Sequence, residues 1–121
     1  MRRPNLKSIL ARCKKTLCLQ DWDIRIRYTT HEHITSMCQN QPDEYAEGCV
    51  VTVIGKREAD IYICDPGTYP KDATRPQNVR RTVWHECLHI LLLPLSSKRN
   101  EVAEDQIVHV LATALTRKKA A

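Results

Sequence analysis

Apolar residues recur at helical spacing at Leu6, Ile9, Leu10, Cys13 and Leu17, with Arg12, Lys14 and Lys15 set between them. The pattern predicts an amphipathic helix over 5–18, one face of which lies on a sheet. In Trp22-Asp23-Ile24-Arg25-Ile26-Arg27-Tyr28 the period changes to two, the alternation of a strand with one buried face. From Thr29 to Glu47 the chain is polar and irregular and reads as loop, with a short element around Ile34 to Cys38. The β-branched run Gly48-Cys49-Val50-Val51-Thr52-Val53-Ile54 and the run Ala59-Asp60-Ile61-Tyr62-Ile63-Cys64 flank Gly55 to Glu58, which predicts an antiparallel hairpin stopped by Asp65-Pro66-Gly67.

After loop residues to Pro76, the run Thr82-Val83-Trp84 to Leu93 predicts a helix that Pro94 ends. A final helix follows the connection 96–100, and Glu104, Ile107, Val108, Leu111 and Leu115 mark its expected inward stripe. No internal repeat interrupts this plan. With 121 residues and 42% hydrophobic content, the chain should form one α+β domain over 1–121.

Composition narrows the setting. No run of eighteen apolar residues occurs, and Met1-Arg2-Arg3-Pro4-Asn5 opens no continuous apolar block, so neither a membrane span nor an export signal is read and a cytoplasmic protein is expected. The six cysteines, at 13, 18, 38, 49, 64 and 87, form no C-x-x-C pair and read as reduced thiols, several of them small core residues. The net charge of +5 comes largely from the two ends, and no aromatic interleaving accompanies it. Solvated helix faces explain it better than a nucleic-acid interface.

The chemistry is concentrated in His85-Glu86-Cys87-Leu88-His89. Two histidines four apart on a helix lie about 40° apart around the axis and about 6 Å along it, so both imidazoles reach one metal ion. Glu86 between them stays off the metal and can take a proton from a metal-bound water, the general-base role of the H-E-x-x-H arrangement. With this chain's own composition the pentad arises by chance in roughly 1% of shuffled sequences, so coincidence is a weak rival.

A catalytic zinc site takes three protein ligands and an open position, so one ligand is still to be found. If the last helix returns antiparallel after a short turn, Glu104 comes level with the two histidines and heads the inward stripe. Glu104 is therefore the expected third ligand, with the shallower Glu101 as the alternative and His109 disfavoured by its distance along the helix. Asp105 and Asn100 are candidates for orienting a ligating histidine from behind, and an N-cap explains Asn100 equally well. Tyr62, Tyr69 and His109 are unranked candidates for an oxyanion donor.

The Trp22-Asp23-Ile24 strand after an N-terminal helix, the run from Thr82 to Leu92 and the acidic pair Glu104-Asp105 before Leu111-Ala112 together resemble small zincin-like metallopeptidases of phages and prophages. Cys87 and Trp84 depart in detail from the aliphatic residues expected there. The resemblance implies a gluzincin-type zinc hydrolase with a small mixed sheet packed on the active-site helix. It also implies a peptide or protein substrate aligned on a sheet edge from the hairpin 49–64, and the host cytoplasm as location. Two rivals stand beside it: a zinc-stabilised regulatory or binding protein that does not cleave peptides and, behind that, a nucleic-acid-associated protein using the basic ends.

Overall fold

The computed structural model describes residues 3–38, 47–73, 75–95 and 101–117. Helix α1 spans Leu6–Thr16, capped by Asn5, whose side chain accepts the Ser8 N–H. It buries Leu6, Leu10 and Cys13, three of the five residues that the helical spacing marks, with Ile9 and Leu17 partly buried beside them, and ends where Cys18 takes a left-handed φ of 58°. There the Leu19 N–H reaches back to the Lys14 carbonyl at 2.8 Å, closing the last turn without glycine.

Strand β1 (Asp23–Thr29) leads into helix α2 (His31–Cys38), which takes in the short element expected around Ile34 to Cys38 and begins three residues earlier, in a stretch expected to be loop. Thr30 explains the start, since its hydroxyl accepts the His33 N–H at 3.2 Å and its carbonyl the Ile34 N–H at 3.1 Å. Ile34 is the buried residue of this short helix. Strands β2 (Gly48–Val53) and β3 (Glu58–Cys64) form the expected antiparallel hairpin, and β3 also pairs in parallel with β1, giving a mixed sheet in the order β1-β3-β2.

Alternation along the strands places Ala59, Ile61 and Ile63 on one sheet face with Ile24, Ile26 and Val50. That face meets α1 and helix α3 (Val79–Leu92), whose Val83, Trp84, Cys87, Leu88 and Ile90 complete the core. The opposite face carries Tyr62, packed edge-on against His33 of α2. A single 3-10 turn, Leu93–Leu95, contains Pro94 and stops α3.

Helix α4 (Glu101–Thr116) packs chiefly against α3. Its buried stripe is Val108 and Ala112, narrower than expected, for Ile107, Leu111 and Leu115 are 55%, 40% and 41% exposed. One neighbouring helix covers only a narrow strip of an α-helix surface, which explains the difference. Among the described residues no helix is long and apolar enough to cross a membrane. Among the described residues, four helices and a three-stranded mixed sheet make the fold α+β, as the hydrophobic pattern predicts.

Where β2 begins, backbone and helix almost touch: a Cβ added to Gly48 would lie 2.7 Å from Cγ2 of Thr82 on α3 and 3.1 Å from the Tyr62 carbonyl oxygen. Gly48→Ala is therefore expected to lower stability by about 1–3 kcal/mol. Adding Thr82→Ser, which removes the closest methyl, should restore part of the loss. Urea denaturation of the two single variants and the double variant measures this coupling.

Candidate metal centre

Helix α3 starts at Asn78, whose side chain accepts the Arg81 N–H at 3.0 Å and whose own N–H donates to Glu47 Oε1 at 2.9 Å. The helix thus starts at a fixed point beside the first residue of β2. One side of α3 faces the sheet and carries Thr82 and, one turn on, Glu86, which is 6% exposed. Arg81, His85 and His89 follow one another at four-residue intervals along another side, toward α4.

The two imidazoles converge. Nε2 of His85 and Nε2 of His89 lie 3.1 Å apart. Oδ1 of Asp105 on α4 lies 3.3 Å from the first and 3.4 Å from the second. Glu104 Oε1 is placed on the far nitrogen of the same ring, 2.9 Å from Nδ1 of His89. The carboxylate that reaches the gap between the Nε2 atoms is therefore that of Asp105, while Glu104, the expected ligand, sits where a partner orienting the imidazole would sit. Glu101 opens α4, but its side chain and Asn100 lie outside the described residues.

Those three separations test whether a metal fits. Four ligands at about 2.0–2.1 Å around a tetrahedral zinc are separated from one another by roughly 3.3 Å. The triangle of 3.1, 3.3 and 3.4 Å matches one face of that tetrahedron. Among the described residues His85, His89 and Asp105 form the group whose ligand atoms all fall within 4.8 Å of one another.

Charge within the site is strongly coupled. Burial alone would lower the pKa of His89, yet its hydrogen bonds to Asp105 and Glu104 overcome that and carry it up to about 9. Hydrogen bonds from His85 and His89 hold the Asp105 carboxyl well below the usual range. Burial pushes Glu86 up, opposed by the positive field of His85 and His89 and reinforced by Asp105. A carboxylate in this setting has a stronger affinity for protons than an exposed one, as a general base near neutral pH requires.

Of the three oxyanion candidates, His109 alone reaches the site, its ring centroid 6.3 Å from that of His85. Tyr62 lies on the opposite sheet face, and the Tyr69 hydroxyl donates to the Arg75 carbonyl at 3.0 Å. His109 accepts from Arg75, whose Nη1 is 3.3 Å from its Nε2, and burial together with Arg75 and Arg81 lowers its pKa. Glu47, Arg75 and Arg81 were not anticipated from the sequence. Glu47 and Arg75 belong to segments without periodicity, and Arg81 shows its relation to the pentad only as the residue one turn before His85.

Because His89 must release its proton before Nε2 can bind a cation, zinc affinity is expected to rise as pH increases from 6.5 toward about 9, with proton release on binding. Calorimetric titration with Zn2+ in two buffers of different ionisation enthalpy measures both quantities. Comparison of the chain with protein-family models, with curated proteins and with solved structures gives no match, so the chemistry of these side chains carries the functional reading.

Proposed function

We propose that the protein is a zinc-dependent peptidase in which His85, His89 and Asp105 hold the metal and Glu86 is the general base. The observation that carries this reading is the triangle of two Nε2 atoms and one carboxylate oxygen, sized for zinc, with a buried glutamate between the histidines on the same helix. Asp105 replaces Glu104 as the proposed third ligand, and Glu104 holds the His89 ring through Nδ1, which fixes its tautomer with Nε2 free to ligate. Zinc bound there would polarise a peptide carbonyl and make a neighbouring water acidic.

The protein's own groups supply the remaining steps. Glu86 accepts the proton of the attacking water and delivers it to the departing amine, and its burial beside the sheet raises its affinity for that proton. The substrate backbone has a place on β2. Since the Cys64 N–H donates to the Glu47 carbonyl at 2.8 Å and Gly48 pairs with Ile63, the backbone groups of Gly48, Val50 and Thr52 point away from β3; the Gly48 carbonyl accepts from the Cys38 thiol at 3.9 Å, which leaves the edge at Val50 and Thr52 for a substrate strand. Gly48 and Thr82 bring this outer edge against α3 one turn before Glu86. An extended peptide added there would run beside the metal ligands, which supports a peptide as the substrate class.

Glu86→Gln should bind zinc with unchanged stoichiometry and lose about 10²–10⁴-fold in peptide hydrolysis. Asp105→Ala should lose zinc, whereas Glu104→Gln should retain it with affinity lowered by about 10–100-fold. Metal analysis and cleavage of a mixed peptide library by the wild type and these three variants test the assignment. Retention of zinc by Asp105→Ala together with its loss in Glu104→Gln would return the ligand role to Glu104, and activity in Glu86→Gln would remove the proposed base.

A further inference from the structure

Beyond the ligands, the N-terminal end of α3 carries a group of charges that peptide hydrolysis itself does not require. Glu47 is a carboxylate with only 8% of its side chain exposed, and two guanidinium groups face it, Arg75 at 3.5 Å and Arg81 at 3.6 Å. One negative charge opposes two positive ones. Arg81 is the inner partner, 16% exposed, and its Nη2 is buried without a hydrogen bond. Arg75 is the outer partner, and its side chain is 53% exposed.

Exposed arginines are ordinarily mobile, but this one is held at three points. Its Nη2 meets Glu47, its Nη1 donates to Nε2 of His109 at 3.3 Å, and its carbonyl accepts the Tyr69 hydroxyl at 3.0 Å. The next residue is Pro76, which restrains the backbone of Arg75 to extended conformations. Much of the entropy lost when a guanidinium grips a ligand is thus already lost in the free protein.

The position relates this cation to the site. His109 stands one helical turn beyond Asp105 on α4, and its ring centroid is 6.3 Å from that of His85. Asp105 is turned toward the two Nε2 atoms and so is engaged there. An extended peptide advances about 3.3–3.6 Å per residue, so a carboxylate within about three residues of the scissile bond can reach Arg75.

We propose that Arg75, braced by Glu47 and His109, binds a carboxylate of the peptide substrate and gives the enzyme a preference for acidic peptides. The inference rests on the peptidase reading of the metal site. The carboxylate belongs either to an Asp or Glu side chain or to the peptide C-terminus, and both present the planar pair of oxygens that a guanidinium fork matches.

The test uses zinc-loaded protein and fluorescein-labelled peptides in four sets: acidic or amide side chains, each with a free or an amidated C-terminus. Cleavage is followed for the wild type, Arg75→Gln and Arg75→Lys, and binding of the same peptides is measured in the Glu86→Gln background with and without Arg75→Gln. Carboxylate-bearing peptides should be favoured by roughly tenfold or more, with the ratio falling toward one in Arg75→Gln and only partly in Arg75→Lys. Whichever set shows the preference identifies the source of the carboxylate. Equal zinc content and circular dichroism in all variants separate this effect from a loss of fold. Tighter binding of carboxylate peptides that depends on Arg75, without cleavage by the wild type, would uphold the subsite and remove the peptidase reading. Cleavage with no carboxylate preference, a preference that survives Arg75→Gln, or binding of no peptide would overturn the subsite.

Discussion

A buried carboxylate fixes the geometry of this protein. Glu47 stands immediately before β2 and accepts the N–H of Asn78, the residue that caps α3, while Arg75 and Arg81 oppose its charge. Removing one partner from such a buried group leaves an uncompensated charge or donor, an expensive state for the fold. The tie joins the outer strand of the sheet to the first turn of α3, and the near contact of Gly48 with Thr82 fills the space beside it. With its start pinned, α3 can turn Glu86 to the sheet and His85 and His89 to α4 in one fixed rotation.

The pairing of α3 with α4 then distributes two neighbouring carboxylates between two tasks. Glu104 and Asp105 both border the narrow stripe of Val108 and Ala112, so each can reach the facing helix. The longer side chain passes to Nδ1 of His89, and the shorter meets Nε2 of both imidazoles. The negative charge of both holds a proton on His89. The proposed metal site is thus bordered by two carboxylates.

The parts of the fold legible in the sequence are those decided locally. The first helix, the hairpin and the pentad follow from spacing within a few residues, because helix and strand periods fix which side chains share a face. Helix α2 is legible only as a short element around Ile34 to Cys38; its helical type and its start at His31 are not, since eight residues with one buried isoleucine give little periodic signal and the start depends on a single threonine. Parallel pairing of β1 with β3 joins positions 35 residues apart, such as Asp23 with Glu58, which no local pattern encodes. The choice between Glu104 and Asp105 has the same origin. The sequence stripe carries Glu104 and leaves Asp105 beside it, and which of the two neighbours meets the Nε2 atoms depends on how α4 is rotated against α3.

Two of the three proposed donors stand on the core helix, whereas the third stands on a helix with one principal neighbour and Val102, Ile107 and Val110 exposed. Opening of α4 therefore need not disturb the sheet or α1. An ion held by His85, His89 and Asp105 would act as a clasp between a firm element and a loosely held one, and its binding energy would count directly as docking energy of α4. On the proposed reading, metal supply would then be a control on the docking of α4: amides of α4 would exchange with solvent at a rate set by free zinc, while those of β3 would ignore it.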